Sequence, residues 1–128
     1  MTRAYLDTSA FVKTIVREAE SERLAAWLRA SAERVSSELL RAEAGRAAHR
    51  YGPEARRRLN AALETIGLIA VDRTILDAAA DLELEVRTLD AIHLASALAL
   101  GGDLGVVVTY DLRMARAASA LGLPTIAP

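Results

Sequence analysis

An α/β domain, with a mainly parallel sheet covered by helices on both faces, is the fold class this sequence predicts. Two patterns lead there. Short apolar runs of strand length alternate with segments of helical period, and no repeat, low-complexity tract or Pro/Gly/Ser linker interrupts the alternation across 128 residues. With 52% hydrophobic residues the chain can close a core without disulfides or a structural metal, so residues 1–128 are expected to form one domain.

The elements follow in order. Ala4-Tyr5-Leu6 reads as a short buried strand, and Asp7 after it stands just before a helix. Leu24, Trp27, Leu28 and Ser31 fall at i, i+3, i+4 and i+7, a helical stripe that assigns Trp27 to packing. Arg34-Val35 is a short strand candidate, after which Ser36 or Ser37 can cap a helix. Pro53 suits the first turn of the next helix, where Leu59, Ala62, Leu63 and Ile66 repeat the spacing. Leu68-Ile69-Ala70-Val71 is a third strand. Residues 89–100 are apolar nearly all round, which predicts a buried helix. Val106-Val107-Val108 is the strongest strand because β-branched side chains fit a pleated surface. Met114, Ala118 and Leu121 mark a last helix that Gly122 and Pro124 terminate, and Thr125-Ile126 is a final short strand.

Composition excludes several classes. There is no cysteine, so a disulfide framework and a Cys-based zinc site are impossible, which favours a reducing compartment such as the cytoplasm. The Met1-Thr2-Arg3 start runs into an apolar segment containing Asp7, and no stretch offers the roughly 20 apolar residues of a spanning helix, so a soluble protein without signal peptide is expected. Net charge is -1, from 16 basic and 17 acidic residues, and does not announce a nucleic-acid binder. The distribution is uneven: Arg41, Arg46, Arg50, Arg56, Arg57 and Arg58 crowd one region, and Asp72, Asp77, Asp81, Glu83, Glu85 and Asp90 another. A solvated helix face explains such a run as readily as a binding surface does.

In open parallel sheets, ligands bind beyond the carboxyl ends of the strands where strand order reverses. Asp7 and Asp111 each sit at such an end. Either alone is explained as a helix N-cap, but two at one edge would share a crevice if their strands are neighbours. Glu43 lies almost two turns into its helix on the side of Leu39, Leu40 and Ala47, where an acid needs a partner; Glu38, in the first turn, is the reserve candidate. Asp90 opens the buried helix with His93 one turn on, and the plainer readings are a first-turn acid and a hydrogen-bonded core histidine. His49, beside the arginines, reads as exposed. If Asp7, Glu43, Asp90 and Asp111 converge, each pair about 5 Å apart repels by roughly 3 kcal/mol at an effective dielectric near 20, so the cluster must hold protons or cations. An all-oxygen set suits Mg²⁺ or Mn²⁺, and such ions promote phosphodiester hydrolysis. Ser9 and Thr109 could orient a carboxylate, water or phosphate.

The segments Tyr5 to Lys13 (YLDTSAFVK), Ser36 to Glu43 (SSELLRAE), Leu89 to Ala97 (LDAIHLASA) and Val108 to Ala118 (VTYDLRMARAA), followed by Leu121-Gly122-Leu123-Pro124, carry a resemblance. In this order, and over essentially the whole chain, the sequence resembles the PIN-domain family and specifically the VapC toxins of bacterial VapBC toxin–antitoxin pairs. The resemblance implies a three-layer α/β/α fold with a short, mainly parallel sheet. It assigns Asp7, Glu43, Asp90 and Asp111 to Mg²⁺ or Mn²⁺ binding for endoribonuclease activity, with Ser9 and Thr109 in support. It also implies a homodimer and a cognate VapB antitoxin whose tail covers the site, where an Arg or Lys can replace the metal. Lys13 occupies a position the family often fills likewise. Under this reading Arg46, Arg50, Arg56, Arg57 and Arg58 become candidate contacts to RNA phosphates, Arg41 less directly.

Three rival readings fit less well. A non-catalytic PIN-like module that binds RNA or protein would have no use for four mutually repelling acids. An aspartyl-phosphate phosphatase needs Asp-x-Asp after the first strand, and this chain has Ser9 at the second position. Dinucleotide binding rests on Gly101-Gly102-Asp103-Leu104-Gly105, which precedes a strand rather than following one.

Overall fold

The computed structural model describes residues 2–31 and 33–128; Met1, at the head of the N-terminal run, and Ala32 lie outside the described residues. Among the described residues five strands and seven α-helices follow one another. They are β1 (Arg3–Leu6), α1 (Thr8–Ile15), α2 (Ser21–Ala30), β2 (Arg34–Ser37), α3 (Leu39–Tyr51), α4 (Pro53–Leu63), β3 (Gly67–Ile69), α5 (Arg73–Asp81), α6 (Thr88–Ala99), β4 (Leu104–Val108), α7 (Leu112–Ala120) and β5 (Thr125–Ile126), with a 3-10 turn at Gly101–Asp103 before β4. Strand order is β3-β2-β1-β4-β5, and each pairing is parallel. Parallel neighbours cannot be joined by a tight turn, so every connection carries at least one helix. The chain grows from β1 outward to β3, then returns to the other side of β1 as β4. That reversal leaves a crevice at the carboxyl ends of β1 and β4.

Strand side chains alternate between faces, which defines the layers. Ala4 and Leu6 of β1 and Val108 of β4 pack with Ala10, Leu24 and Leu28 of α1 and α2. Tyr5, Val35 and Val107 point the other way, onto Ala97 of α6. The result is the three-layer α/β/α arrangement that the resemblance implies. On the first side α3 and α4 join α1 through Phe11, Ile15, Leu40, Ala44 and Leu59. On the second side α6 is the middle helix: Ala91, Ile92 and Ala95 meet Ile75 and Ala79 of α5, while Leu94 meets Met114, Ala117 and Ala118 of α7. Residues Ala91 to Ala97 are all buried, as a helix without a polar face requires.

Several expectations change in detail. The third strand begins at Gly67 and ends at Ile69, so Ala70 and Val71 fall beyond it; Val71 nevertheless packs onto the α5–α6 cluster, and an apolar run does not distinguish strand from packed loop. Ser36 and Ser37 also close β2, and of the two it is Ser37 that caps α3. The Ser36 hydroxyl donates to the Leu6 carbonyl at 2.6 Å, while Ser37 Oγ accepts from Leu39 N–H at 3.1 Å, capping the helix from the strand end. Helix α4 stops at Leu63, and Ile66 reaches the same core from the loop. The acidic run is partly α5, capped by Asp72 through Ile75 N–H at 3.0 Å, with Ile75 and Ala79 turned inward and its acids exposed. At the end of α7, Gly122 takes φ +77°, where a side chain would be strained, and Leu123 N–H returns to the Ala118 carbonyl at 3.0 Å.

Leu24 is fully buried between α2 and the sheet, on a helix that carries none of the candidate acids. Leu24→Ala is expected to lower the unfolding free energy by about 2–5 kcal/mol in urea titration. A loss below about 1 kcal/mol would contradict the packing of α2 on β1 and β4.

Candidate active site

Asp7 follows β1 directly and is 4% exposed. It caps α1, with Oδ1 accepting from Ala10 N–H at 3.0 Å and from the Ser9 hydroxyl at 2.6 Å. Its Oδ2 accepts from the Thr109 hydroxyl at 2.5 Å. Thr109, itself buried, follows β4, and its Oγ1 also accepts from Asp111 N–H at 3.1 Å. Ser9 Oγ in turn accepts from Tyr110 N–H at 3.0 Å. The two strand ends are thus stitched together by Ser9 and Thr109 around one carboxyl. Burial pushes the Asp7 carboxyl above its ordinary value, against the downward pull of the bonds from Ser9, Thr109 and Ala10.

Glu43 reaches the same region from α3. Its Oε1 accepts from the Thr8 hydroxyl and from His93 Nε2, each at 2.6 Å. A carboxylate can only accept, so Nε2 carries the ring proton in this arrangement. The other ring nitrogen, Nδ1, lies 2.7 Å from the Tyr5 hydroxyl, which burial keeps protonated and able to donate. Burial also opposes charge on Glu43, but the hydrogen bonds from His93 and Thr8 outweigh it and hold the carboxyl below its ordinary value. Among the described residues Glu43 Oε2 has no hydrogen-bond partner.

Asp90 and Asp111 meet through Arg87. Arg87 Nε lies 3.0 Å from Asp90 Oδ2, and its terminal nitrogen 3.9 Å from Asp111 Oδ2. Asp111 also caps α7, through Arg113 N–H at 2.9 Å. The four acids can be traced on one circuit: Asp7, Thr109, Asp111, Arg87 and Asp90 are joined by hydrogen bonds and ion pairs, as are His93, Glu43 and Thr8, and the two sets are connected along the chain, through α6 and through Thr8 beside Asp7. The acids do not touch one another directly. Among the described residues no three acidic or histidine side chains are spaced to hold one ion; the Thr109 hydroxyl, the His93 imidazole and the Arg87 guanidinium are the groups they contact instead. The donors are nonetheless all carboxylate and hydroxyl oxygens, with oxygens of Glu43 and Asp90 uncommitted, and such a set suits a hard divalent cation.

The other candidates separate clearly. Glu38 pairs with Arg41 at 2.9 Å on the surface. Lys13 is tied to Glu20 at 2.8 Å and Glu18 at 3.3 Å and sits 4.9 Å over the Tyr110 ring, so it braces the loop between α1 and α2. Arg46, His49, Arg50 and Arg56 line an open groove of about 790 Å³ between α3 and α4. Arg57 and Arg58 are instead engaged by Glu54, at 2.6 Å and 3.3 Å. On α3, Glu43, Arg46 and Arg50 fall at i, i+3 and i+7 on one side of the helix, so the basic groove begins next to the acids. Tyr5, Thr8 and Arg87 join the site without having been expected there. Arg87 has a signal in its i, i+3 spacing to Asp90, and Thr8 in its place beside Asp7; for Tyr5 nothing local hints at a partner 88 residues away.

The sequence matches the PIN domain model over residues 4–120. It is 51% identical to Ribonuclease VapC46 of Mycobacterium tuberculosis over 100% of this chain and 99% of that one. Ribonuclease VapC35 of the same species is 40% identical, with 97% and 96% covered. Among solved structures, the chain resembles Mycobacterium tuberculosis VapC20, a Sarcin-Ricin loop cleaving toxin, with a TM-score of 0.76 at 16% identity, covering 98% of this chain and 99% of that one. It also resembles a chain of VapBC2 from Rickettsia felis bound to a DNA fragment from its promoter, with a TM-score of 0.73, 15% identity and 98% of each chain covered. Those two likenesses concern the fold.

A raised Asp7 value has a stability consequence with a definite sign. Unfolded, the carboxyl ionises near 3.8; folded, it keeps its proton to higher pH, so stability falls as pH rises through that window and stays lower above it. Asp7→Asn removes the buried charge. In EDTA the variant is expected to melt higher than the parent at neutral pH, with the difference vanishing as pH falls to the ordinary carboxylate range. A variant that melts lower at neutral pH would overturn the burial argument.

Proposed function

Because this chain belongs to the PIN-domain family, we propose that it is a metal-dependent endoribonuclease and the toxin of a type II toxin–antitoxin pair. The observation that carries the reading is the β1–β4 junction, where Asp7 and Asp111 share the Thr109 hydroxyl at the point of strand reversal. The ribonuclease relatives support the reaction class, and the acid circuit supports the placement of the chemistry.

Asp7, Glu43, Asp90 and Asp111 are the residues that would hold Mg²⁺ or Mn²⁺. Such an ion supplies a water of lowered pKa and positive charge against the phosphoryl oxygens. The protein's own contribution is orientation. Ser9 and Thr109 fix the Asp7 carboxylate between the two strands. Thr8 and His93 occupy one oxygen of Glu43 and leave the other as donor. Arg46, Arg50 and Arg56 take the RNA phosphates on one side of the acids, and Arg57 and Arg58 extend that patch because exposed pairs such as theirs with Glu54 are weak.

The partners follow from the same surface. RNA is the substrate, and a cognate VapB-like antitoxin would block it by presenting a basic side chain to the acids. Residues 1–128 act as one PIN domain in this proposal, as a homodimer in the cytoplasm; no helix among the described residues is long and apolar enough to cross a membrane.

Asp7→Asn and Asp111→Asn each remove a charge from the reacting centre, a loss of about 3 kcal/mol when each counts for as much as one preorganised donor of an oxyanion hole. Each is expected to slow Mg²⁺- or Mn²⁺-dependent cleavage of total RNA by about 100-fold, with circular dichroism unchanged. Cleavage by a variant at the parental rate would remove that residue from the mechanism.

For the groove, Arg46→Ala with Arg50→Ala should weaken binding of single-stranded RNA whatever its sequence. The slope of log affinity against log salt should drop by about 1.4, at about 0.7 for each phosphate no longer neutralised. An unchanged slope would place the RNA elsewhere.

A further inference from the structure

We propose that Arg87 is a built-in counter-cation of the acid site, holding Asp90 and Asp111 in the position a divalent ion takes and yielding them when that ion binds. The proposal rests on the metal-site reading above and concerns a residue outside the four acids.

Three observations lead to it. Arg87 is the cation placed among the acids: its guanidinium pairs with Asp90 at 3.0 Å, stands 3.9 Å from Asp111, and lies close enough for Glu43 to feel its charge. It is held loosely. Its side chain is 67% exposed, and the longer of the two contacts is at the limit of an ion pair, so leaving costs little packing. Finally, both carboxylates it pairs with are themselves partly sheltered, at 18% and 32% exposure, so each gains from a cation when no metal is present.

Competition follows from mass action. A cation that must displace the guanidinium binds more weakly than it would to open carboxylates. A bystander arginine, or one that merely props the site in shape, predicts the opposite or no effect. The sign of the change therefore separates the alternatives.

The test is Mn²⁺ binding by isothermal titration calorimetry at fixed ionic strength, without RNA, so that no nuclease activity enters the readout. Arg87→Gln is expected to bind Mn²⁺ about fivefold more tightly than the parent, equivalent to about 1 kcal/mol. Arg87→Lys, which keeps the charge, should fall between the two. Arg41→Gln makes the same change in net charge on the surface pair with Glu38 and should match the parent. The position is an exposed N-cap without a side-chain cap bond, so the fold does not depend on it. If Arg87→Gln binds equally or more weakly, or if Arg41→Gln tightens binding as much, the counter-cation role is overturned while the metal site stands. If neither parent nor variant binds Mn²⁺, both the role and the metal-site reading fall.

Discussion

A carboxyl group buried where two parallel strands end is the constraint around which the rest of this molecule is arranged. Asp7 has almost no contact with solvent, and its oxygens are met by donors from α1 and from the segment after β4. Those bonds are what make the burial tolerable, since an uncompensated charge there would cost several kcal/mol. They also fix the register of this sheet edge: Thr109 serves Asp7 and, through the same hydroxyl, holds the Asp111 backbone. One threonine thereby converts a fold-level rule about strand reversal into a particular spacing of two acids.

Helix α3 gives that edge a direction. Its first half brings Glu43 to the acids, and its second half carries Arg46 and Arg50 into the groove shared with Arg56 of α4. Negative and positive potential are thus separated along a single rigid element by one or two turns. Under the proposed ribonuclease reading, a polyanion bound in the basic half would lie beside the carboxylates rather than on them. The net charge of -1 conceals this polarity because acids and bases nearly cancel in the sum.

Much of this is legible in the sequence, and the limits are physical. Strand ends followed by Asp7 and Asp111 can be read because β-branched and apolar runs mark strands and the sheet rule then places their carboxyl ends. The helix within 89–100 and its burial over Ala91–Ala97 can be read because little that is polar interrupts it, although Leu89 and Leu98 turn out exposed. Pattern alone makes the third strand too long, since Ala70 and Val71 lie beyond the pairing and Val71 is apolar for the sake of packing. Helix α5 is hidden by its acids, which lie on its solvent side. Serine before a helical period is a cap signal, and Ser37 does cap α3 through Leu39 N–H, but the pattern does not show that both serines also close β2. The bonding of His93 to Glu43 and Tyr5 is beyond any local pattern, as its partners come from a strand and a helix distant in the chain.

Helix α6 combines two duties that most proteins keep apart. Its seven consecutive buried residues form the middle of one layer, and the same turns present Asp90 and His93 to the acid circuit. Between Asp90 and Ala97 no exposed face is left on which substitutions can accumulate unnoticed. Random mutagenesis selecting for cells that survive this protein should therefore recover hits throughout Asp90 to Ala97, some unfolded and some merely inert, and sorting one kind from the other will require measuring how much folded protein each clone contains.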